Sequence, residues 1–223
     1  MAALQDVHID RTPVKIVIIF AGKRKSGKDY CSDRLLALVG DEVAEIGRLS
    51  GPLKKAYADE HNLDYAELLT ASAYKEQHRA RMIAWGEARR AADAGFFARK
   101  VLAEATRPIL IISDARRPGD IAFFQGAVPR VVTARVEASP DTRRARGWVF
   151  TSGVDDAESE CGLDAHAPWD VVMKNDDGAD IHAQLATLTT AAAEALKGHE
   201  ASIREKIALH RGDGAALRIG AGT

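Results

Sequence analysis

Cysteine is scarce in this chain: Cys31 and Cys161 are the only two, and no CxxC or Cys/His ligand spacing accompanies them. That excludes a disulfide scaffold and a structural zinc site, and it fits a reducing compartment. Long apolar runs are also missing. The longest, Ile16 to Ala21, is far too short to span a bilayer. Charge of one sign is lacking too. The formal net charge is -1, so no overall positive field draws the chain to nucleic acid or to an anionic membrane. Aromatic residues make up 6% and do not interleave with the basic ones as base-stacking platforms would. Residues 1–13 carry no signal-peptide core, and the final Gly-Ala-Gly-Thr does not match the peroxisomal tripeptide. Cytoplasm is the expected location.

What is present has the balance of a globular protein, 46% hydrophobic and 28% charged over 223 residues. That suffices for one α/β domain with a large buried core. Val14 to Phe20 is a β-branched run with one charge, the pattern of a strand buried on both faces. A glycine-rich turn follows, then a predicted helix from Lys28 to Val39 that Gly40 closes. Further strands are predicted at Val43–Leu49, Ile109–Ser113, Val131–Val136 and Trp169–Met173. Helices open near Pro52, Pro118 and Pro140, and a long one covers Tyr74 to Arg90. A last helix covers Ile181 to Leu196. The expected architecture is an α/β, three-layer P-loop fold with a central parallel sheet. A helical substrate-binding insertion (about 52–107) and an arginine-rich lid with an acidic loop (about 139–164) interrupt it. Residues 1–13 are expected to be a flexible N-terminus, 14–198 the folded domain and 199–223 a peripheral tail.

The strongest motif is Gly22-Lys23-Arg24-Lys25-Ser26-Gly27-Lys28-Asp29, set between a buried strand and a helix. Two glycines separated by four residues and followed by lysine meet the P-loop spacing. Such a loop curls so that backbone N–H groups face phosphate oxygens, and the helix N-terminus adds positive potential. Lys28 would reach the terminal phosphates. The residue after the lysine, usually Ser or Thr on Mg²⁺, is Asp29; a carboxylate is also a hard-oxygen ligand for Mg²⁺.

Between Lys75 and Arg117 ten Lys/Arg face five Asp/Glu, a surplus of five in a chain whose total is -1. Lys75, Arg79 and Arg90 fall within roughly 60° of one another on a helical wheel. Ile109 to Ser113 ends in Asp114-Ala115-Arg116-Arg117, where P-loop enzymes put a Mg²⁺-orienting acid. The arginine pair beside it can clamp phosphate with planar forks. Arg143, Arg144 and Arg146 form a third cluster, suited to a closing lid. A phosphate acceptor is already largely dianionic at neutral pH and needs no base, so an excess of arginine over candidate bases points to a phosphorylated acceptor. On these residues alone, a kinase for a nucleoside monophosphate or other phosphate ester stays open, as does a non-catalytic nucleotide-binding regulator.

Longer strings narrow the choice. Phe20 to Asp29, Arg48-Leu49-Ser50-Gly51-Pro52-Leu53-Lys54, Tyr74-Lys75-Glu76 and Trp85-Gly86-Glu87 resemble animal-type phosphomevalonate kinase, in the nucleoside monophosphate kinase-like P-loop family. Gly95-Phe96-Phe97, Arg146-Gly147-Trp148-Val149-Phe150-Thr151 and Gly153 to Asp164 continue the likeness, which spans Val14 to Leu196. That family also carries Asp after the P-loop lysine. The resemblance implies ATP and Mg²⁺ as cofactors and (R)-5-phosphomevalonate as small-molecule acceptor, in a monomer with neither nucleic acid nor membrane as partner. It implies catalytic roles for Lys28, Arg24, Arg116 and Arg146. ATP would meet Gly22, Lys23, Arg24, Lys25, Ser26, Gly27, Lys28, Asp29, Arg143 and Arg146. The acceptor would meet Lys23, Lys75, Arg79, Arg90, Arg99, Arg116, Arg117 and Arg135, with Mg²⁺ at Asp29 and Asp114. The acidic stretch Asp155 to Asp164 is expected to pair with arginines of the lid or of the substrate-binding insertion.

Overall fold

The computed structural model describes residues 13–70 and 73–196. The expectations for the N-terminus up to residue 12 and for the 199–223 tail lie outside the described residues.

Six consecutive apolar residues make β1 (Ile16–Ala21), and every one of them is buried. Successive strand side chains face opposite ways, and the packing divides accordingly. Ile16, Ile18 and Phe20 join one core cluster, whereas Val17, Ile19 and Ala21 join another. The first core packs the sheet against α1 (Lys28–Val39) and α9 (Ile181–Ala195) through Leu35, Leu38, Leu185 and Leu188. The second packs it against α5 (Phe96–Glu104) and α6 (Pro118–Ala127) through Val101, Leu102, Ile121 and Phe124. Each large side chain so buried contributes about 1.5–3 kcal/mol relative to exposure. Double-sided burial is why β1 lacks any alternation of polar and apolar residues.

The other strands are β2 (Ala44–Gly47), β3 (Ile109–Ile112), β4 (Val131–Glu137) and β5 (Val171–Lys174). All pairings are parallel, in the order β2-β3-β1-β4-β5. Ile18 aligns with Ile111 on one side and Val132 on the other. The expected three-layer α/β architecture is therefore present.

All five strands are offset by a residue or two from the sequence reading, and for two of them the structure shows why. β2 stops at Gly47 rather than Leu49, because the Leu49 amide turns away to donate to Asp114 Oδ1 at 2.7 Å. β5 begins at Val171 rather than Trp169; Asp170 instead accepts from the Thr133 amide and hydroxyl, both at 2.7 Å.

Between β2 and β3 lie α2 (Ser50–His61), α3 (Tyr65–Leu69), α4 (Ala73–Ala92) and α5. The first three form a small core of their own, with Tyr57, Ala58, Leu68 and Met82 buried and Trp85 packed beside them. These helices fill the segment where a helical substrate-binding insertion is expected. After β4 come α7 (Pro140–Ala145) and α8 (Glu158–Cys161), joined by turns. Ser139 caps α7 by accepting from Thr142 N.

Candidate active site

The parallel order puts the loops after β1, β3, β4 and β5 at one edge of the sheet, the usual crevice of an open α/β fold. The loop after β1 is bent by left-handed residues at Lys25 (φ 62) and Gly27 (φ 94). Such backbone gathers N–H groups around an anion. Glycine is required at two points for close approach. A Cβ on Gly22 would lie 2.4 Å from Val136 O, and one on Gly27 would lie 2.0 Å from Asn175 Nδ2.

Lys28 opens α1 and is buried, 8% exposed. Burial, followed by the neighbouring Arg116 charge, lowers its pKa from 10.5 to about 8, against upward pulls from Asp29 and Asp114. A drop of that size is an electrostatic deficit of about 3 kcal/mol, which a bound phosphate would offset. Both candidate metal carboxylates therefore flank the same ammonium. Their situations differ. Asp29 is exposed, with Arg48 Nη2 3.9 Å away. Asp114 has both oxygens engaged, by Leu49 N at 2.7 Å and Ser50 N at 3.0 Å.

The cations of the crevice share one set of partners. Lys23 Nζ donates to Asp164 Oδ2 (2.5 Å), Glu160 O (3.0 Å) and Cys161 Sγ (3.3 Å). Arg24 donates from Nη1 to Asp155 Oδ2 (2.9 Å) and from its backbone N to Glu160 Oε2 (3.0 Å). Arg116 donates to Glu160 Oε1 and to Ser159 O, and Arg135 donates to Asp164 Oδ1 at 3.0 Å. The acidic stretch thus pairs with the P-loop and the ends of β3 and β4. The expected pairing with the lid or the insertion is met only by the charge of Arg143 on Asp155; the ion pairs go instead to cations that strand order rather than sequence proximity collects. Burial pushes the Asp155 carboxyl up, but hydrogen bonds from Trp148 and Thr151 and the charge of Arg24 more than offset this and hold it below the usual range. Lys23 and Arg135 do the same for Asp164 against its own burial.

Arg143 and Arg146 grip the loop backbone. Arg143 Nε donates to Arg24 O (2.8 Å), with its guanidinium 3.9 Å from the Trp148 ring centroid. Arg146 donates to Ser26 O (3.2 Å) and Asn175 O (2.8 Å). Lys25 is exposed, and the buried Ser26 Oγ has no partner among the described residues.

The acceptor-side candidates are more dispersed. Arg79 and Arg99 hold exposed pairs with Glu76 and Asp93. Arg90 donates to Asp120 at 2.6 Å, and Arg117 pairs with Glu87. Arg90 and Arg117 line a cavity of about 410 Å³ with Glu87 and Glu158. Lys75 sits in the first turn of α4.

Three features escaped the sequence reading. Buried Asn175, after β5, donates Nδ2 to Ser26 O at 2.8 Å and braces the P-loop. Beside it a cavity of about 420 Å³ is lined by Gly27, Tyr30, Arg146, Asn175, Asp176 and Gly178. Asp120, buried at 1% exposure, accepts from the backbone N of Arg116 and Arg117 at 3.0 and 3.1 Å and so fixes the arginine pair. Its position three residues after Arg117, behind Pro118 at a helix start, was the available signal.

A family model described as phosphomevalonate kinase matches residues 20–130. A curated relative, phosphomevalonate kinase of Drosophila melanogaster, is 44% identical over 174 residues, covering 75% of this chain and 91% of that protein. Among solved structures, a sugar kinase from a Janibacter species is similar at 14% identity, with a TM-score of 0.41 over 80% of this chain and 94% of that one. A gluconokinase from Sinorhizobium meliloti is similar at 14% identity and a TM-score of 0.39, over 82% and 97%. With a P-loop, paired arginines after β3 and the Arg143 and Arg146 cluster after β4 on one sheet edge, and with that identity across most of its length, the chain belongs to the phosphomevalonate kinase family.

Proposed function

We propose that this chain transfers the γ-phosphoryl group of ATP to the phosphate of (R)-5-phosphomevalonate, giving ADP and (R)-5-diphosphomevalonate. This is a step of the mevalonate pathway to isoprenoids and sterols. The observation that carries the reading is the convergence of Lys23, Arg24 and Arg116 on the carboxylates of one segment at the mouth of the P-loop, in a member of this family. Cations that gather carboxylates so closely suit two polyanions brought together for transfer.

An oxygen of the acceptor phosphate attacks the γ-phosphorus. The bond from that phosphorus to the bridging oxygen of the β-phosphate breaks, and its electron pair leaves with ADP. No base is needed, since the acceptor is already largely dianionic. The P-loop amides and Lys28 hold the ATP phosphates. Arg24, Arg116 and Arg146 stabilise charge on the transferring group, and Arg143 holds the loop backbone. The 420 Å³ cavity beside Asn175 takes the nucleoside. Lys23, Lys75, Arg79, Arg90, Arg99, Arg117 and Arg135 receive the acceptor. Segments 52–107 and 139–164 act as acceptor-binding insertion and lid.

The residues also fit Mg²⁺, which usually keeps several waters and takes one or two carboxylates beside substrate phosphates. Exposed Asp29 would hold it directly or through water, and Asp114, with both oxygens already engaged, through water alone. When bound, the ion would supply positive charge that offsets that of the ATP phosphates. In this reading the enzyme works in the cytoplasm as a monomer.

ADP release with ATP and Mg²⁺, compared across acceptors, tests the assignment. Phosphomevalonate supports turnover, and mevalonate, lacking the phosphate that the arginines clamp, does not. Faster turnover with AMP or CMP than with phosphomevalonate would replace the acceptor.

A further inference from the structure

Segment 155–164 neutralises cations from both halves of the proposed reaction. Asp155 and Glu160 hold Arg24 of the P-loop, Glu160 also holds Arg116 after β3, and Asp164 joins Lys23 to Arg135 of β4. The Glu160 carboxylate is 4% exposed. One of its oxygens accepts a P-loop amide and the other a guanidinium, the pair of contacts that a phosphoryl group between the two substrates would take.

Ionic contacts tie this segment to the sheet edge. Its helix α8 is four residues long, and the approach to it from Gly147 is coil and turns. Val149 and Phe150 project at 74% and 58% exposure. Leu163, in the core beside Ala115, is its apolar anchor. It is nevertheless seated tightly on the arginine turn. A Cβ on Gly162 would lie 2.9 Å from Arg116 O and 2.8 Å from Glu158 O. Glu158 lines the acceptor-side cavity with Arg90 and Arg117.

We infer that segment 155–164 is a built-in anion that competes with both substrates and couples their binding. This rests on reading these cations as phosphate ligands. Either substrate must displace the same carboxylates to reach its own cations, and the first to bind carries that displacement for the second. Coupling of this kind is reciprocal and is typically 5–150-fold in affinity. It also requires that removing a competing carboxylate tightens the binding of each substrate alone. A segment that merely orients Arg116 would do the opposite.

The experiment has two arms on the full chain. Hydrogen–deuterium exchange is followed across residues 148–166, with and without inorganic tripolyphosphate, and needs no variant. Faster exchange there on adding tripolyphosphate is expected; unchanged or slower exchange overturns the inference. Calorimetry then measures phosphomevalonate binding with and without a non-hydrolysable ATP analogue. In the wild type the analogue tightens phosphomevalonate at least fivefold. In Glu160→Gln and in Gly162→Ala, with far-UV dichroism as the folding control, phosphomevalonate alone binds tighter and the analogue's effect shrinks by the same factor. Weaker binding in folded Glu160→Gln overturns the inference and makes Glu160 a positioning residue. If tripolyphosphate frees the segment but phosphomevalonate is not phosphorylated, the proposed acceptor falls and the competing anion stands. If phosphomevalonate turns over while the segment's exchange is unmoved, the inference alone falls.

Discussion

The cations of the helical insertion and those at the sheet edge are balanced in different ways. In the insertion three exposed arginines each have their own acid: Arg79 with Glu76, Arg89 with Glu60, Arg99 with Asp93. These are exposed pairs, worth about 0–1 kcal/mol each, so every one can trade its partner for a ligand independently. At the sheet edge Lys23, Arg24, Arg116 and Arg135 share a single segment, and Lys28 lies buried with no ion pair among the described residues. Independent recognition therefore belongs to the insertion; at the edge buried Lys28 is the preorganised charge, and the other cations are freed together with the segment they share. Charge fixed before the reaction is what stabilises a transition state, whereas charge recruited on binding mainly sets affinity.

Substitution should separate the two regions. Lys28→Met lowers kcat by about 10²–10³-fold, as for a lost oxyanion-type donor. Arg79→Met raises KM for phosphomevalonate with kcat changed by less than about threefold, the signature of lost uniform binding. Steady-state kinetics on both variants checks this, and a similar kcat loss in each would erase the distinction.

A pH profile sharpens it. Free-enzyme Lys28 titrates at about 8, so kcat/KM falls above that pH, approaching tenfold per pH unit. Bound polyphosphate favours the ammonium, so kcat holds to higher pH. The linked stability has a definite sign. The unfolded chain keeps this proton up to 10.5 while the folded chain releases it from about 8, so the penalty of burying the charge is present below pH 8 and relieved between those values. Melting temperature in that window should rise in the wild type relative to Lys28→Met.

The smallest effect is expected at Asp29, the proposed metal carboxylate. Asp29→Ala raises the Mg²⁺ concentration for half-maximal rate, and Asp29→Ser recovers part of it. An unaltered Mg²⁺ titration with a lower melting temperature would make Asp29 only a first-turn acid on the helix dipole.

Much of this edge was legible in the sequence because its signals are local. The P-loop spacing, the β-branched run before it and Asp114 to Arg117 after β3 each declare themselves within ten residues. The partners of those cations were not legible. Lys23 and Asp164 are 141 residues apart, and only the strand order brings them together. Asn175 has no motif of its own; it matters because β5 ends beside the P-loop across β4. Of the helices, α3, α5 and α8 escaped detection, α5 because its start is set by tertiary and turn geometry rather than by a proline or strong cap. Asp93 Oδ1 accepts from Gly95 N, and the Phe123 ring lies so close that a Cβ on Gly95 would meet it at 2.5 Å.

The central claim is that phosphoryl transfer from ATP to a phosphate occurs at the sheet edge, and phosphorus NMR of the products tests it most directly. With the full chain, ATP, Mg²⁺ and phosphomevalonate, the ATP γ signal should decay while ADP and a mutually coupled pair of diphosphate-ester doublets grow in equal amounts. Release of inorganic phosphate alone, or a phosphomonoester signal growing on mevalonate, would contradict the account.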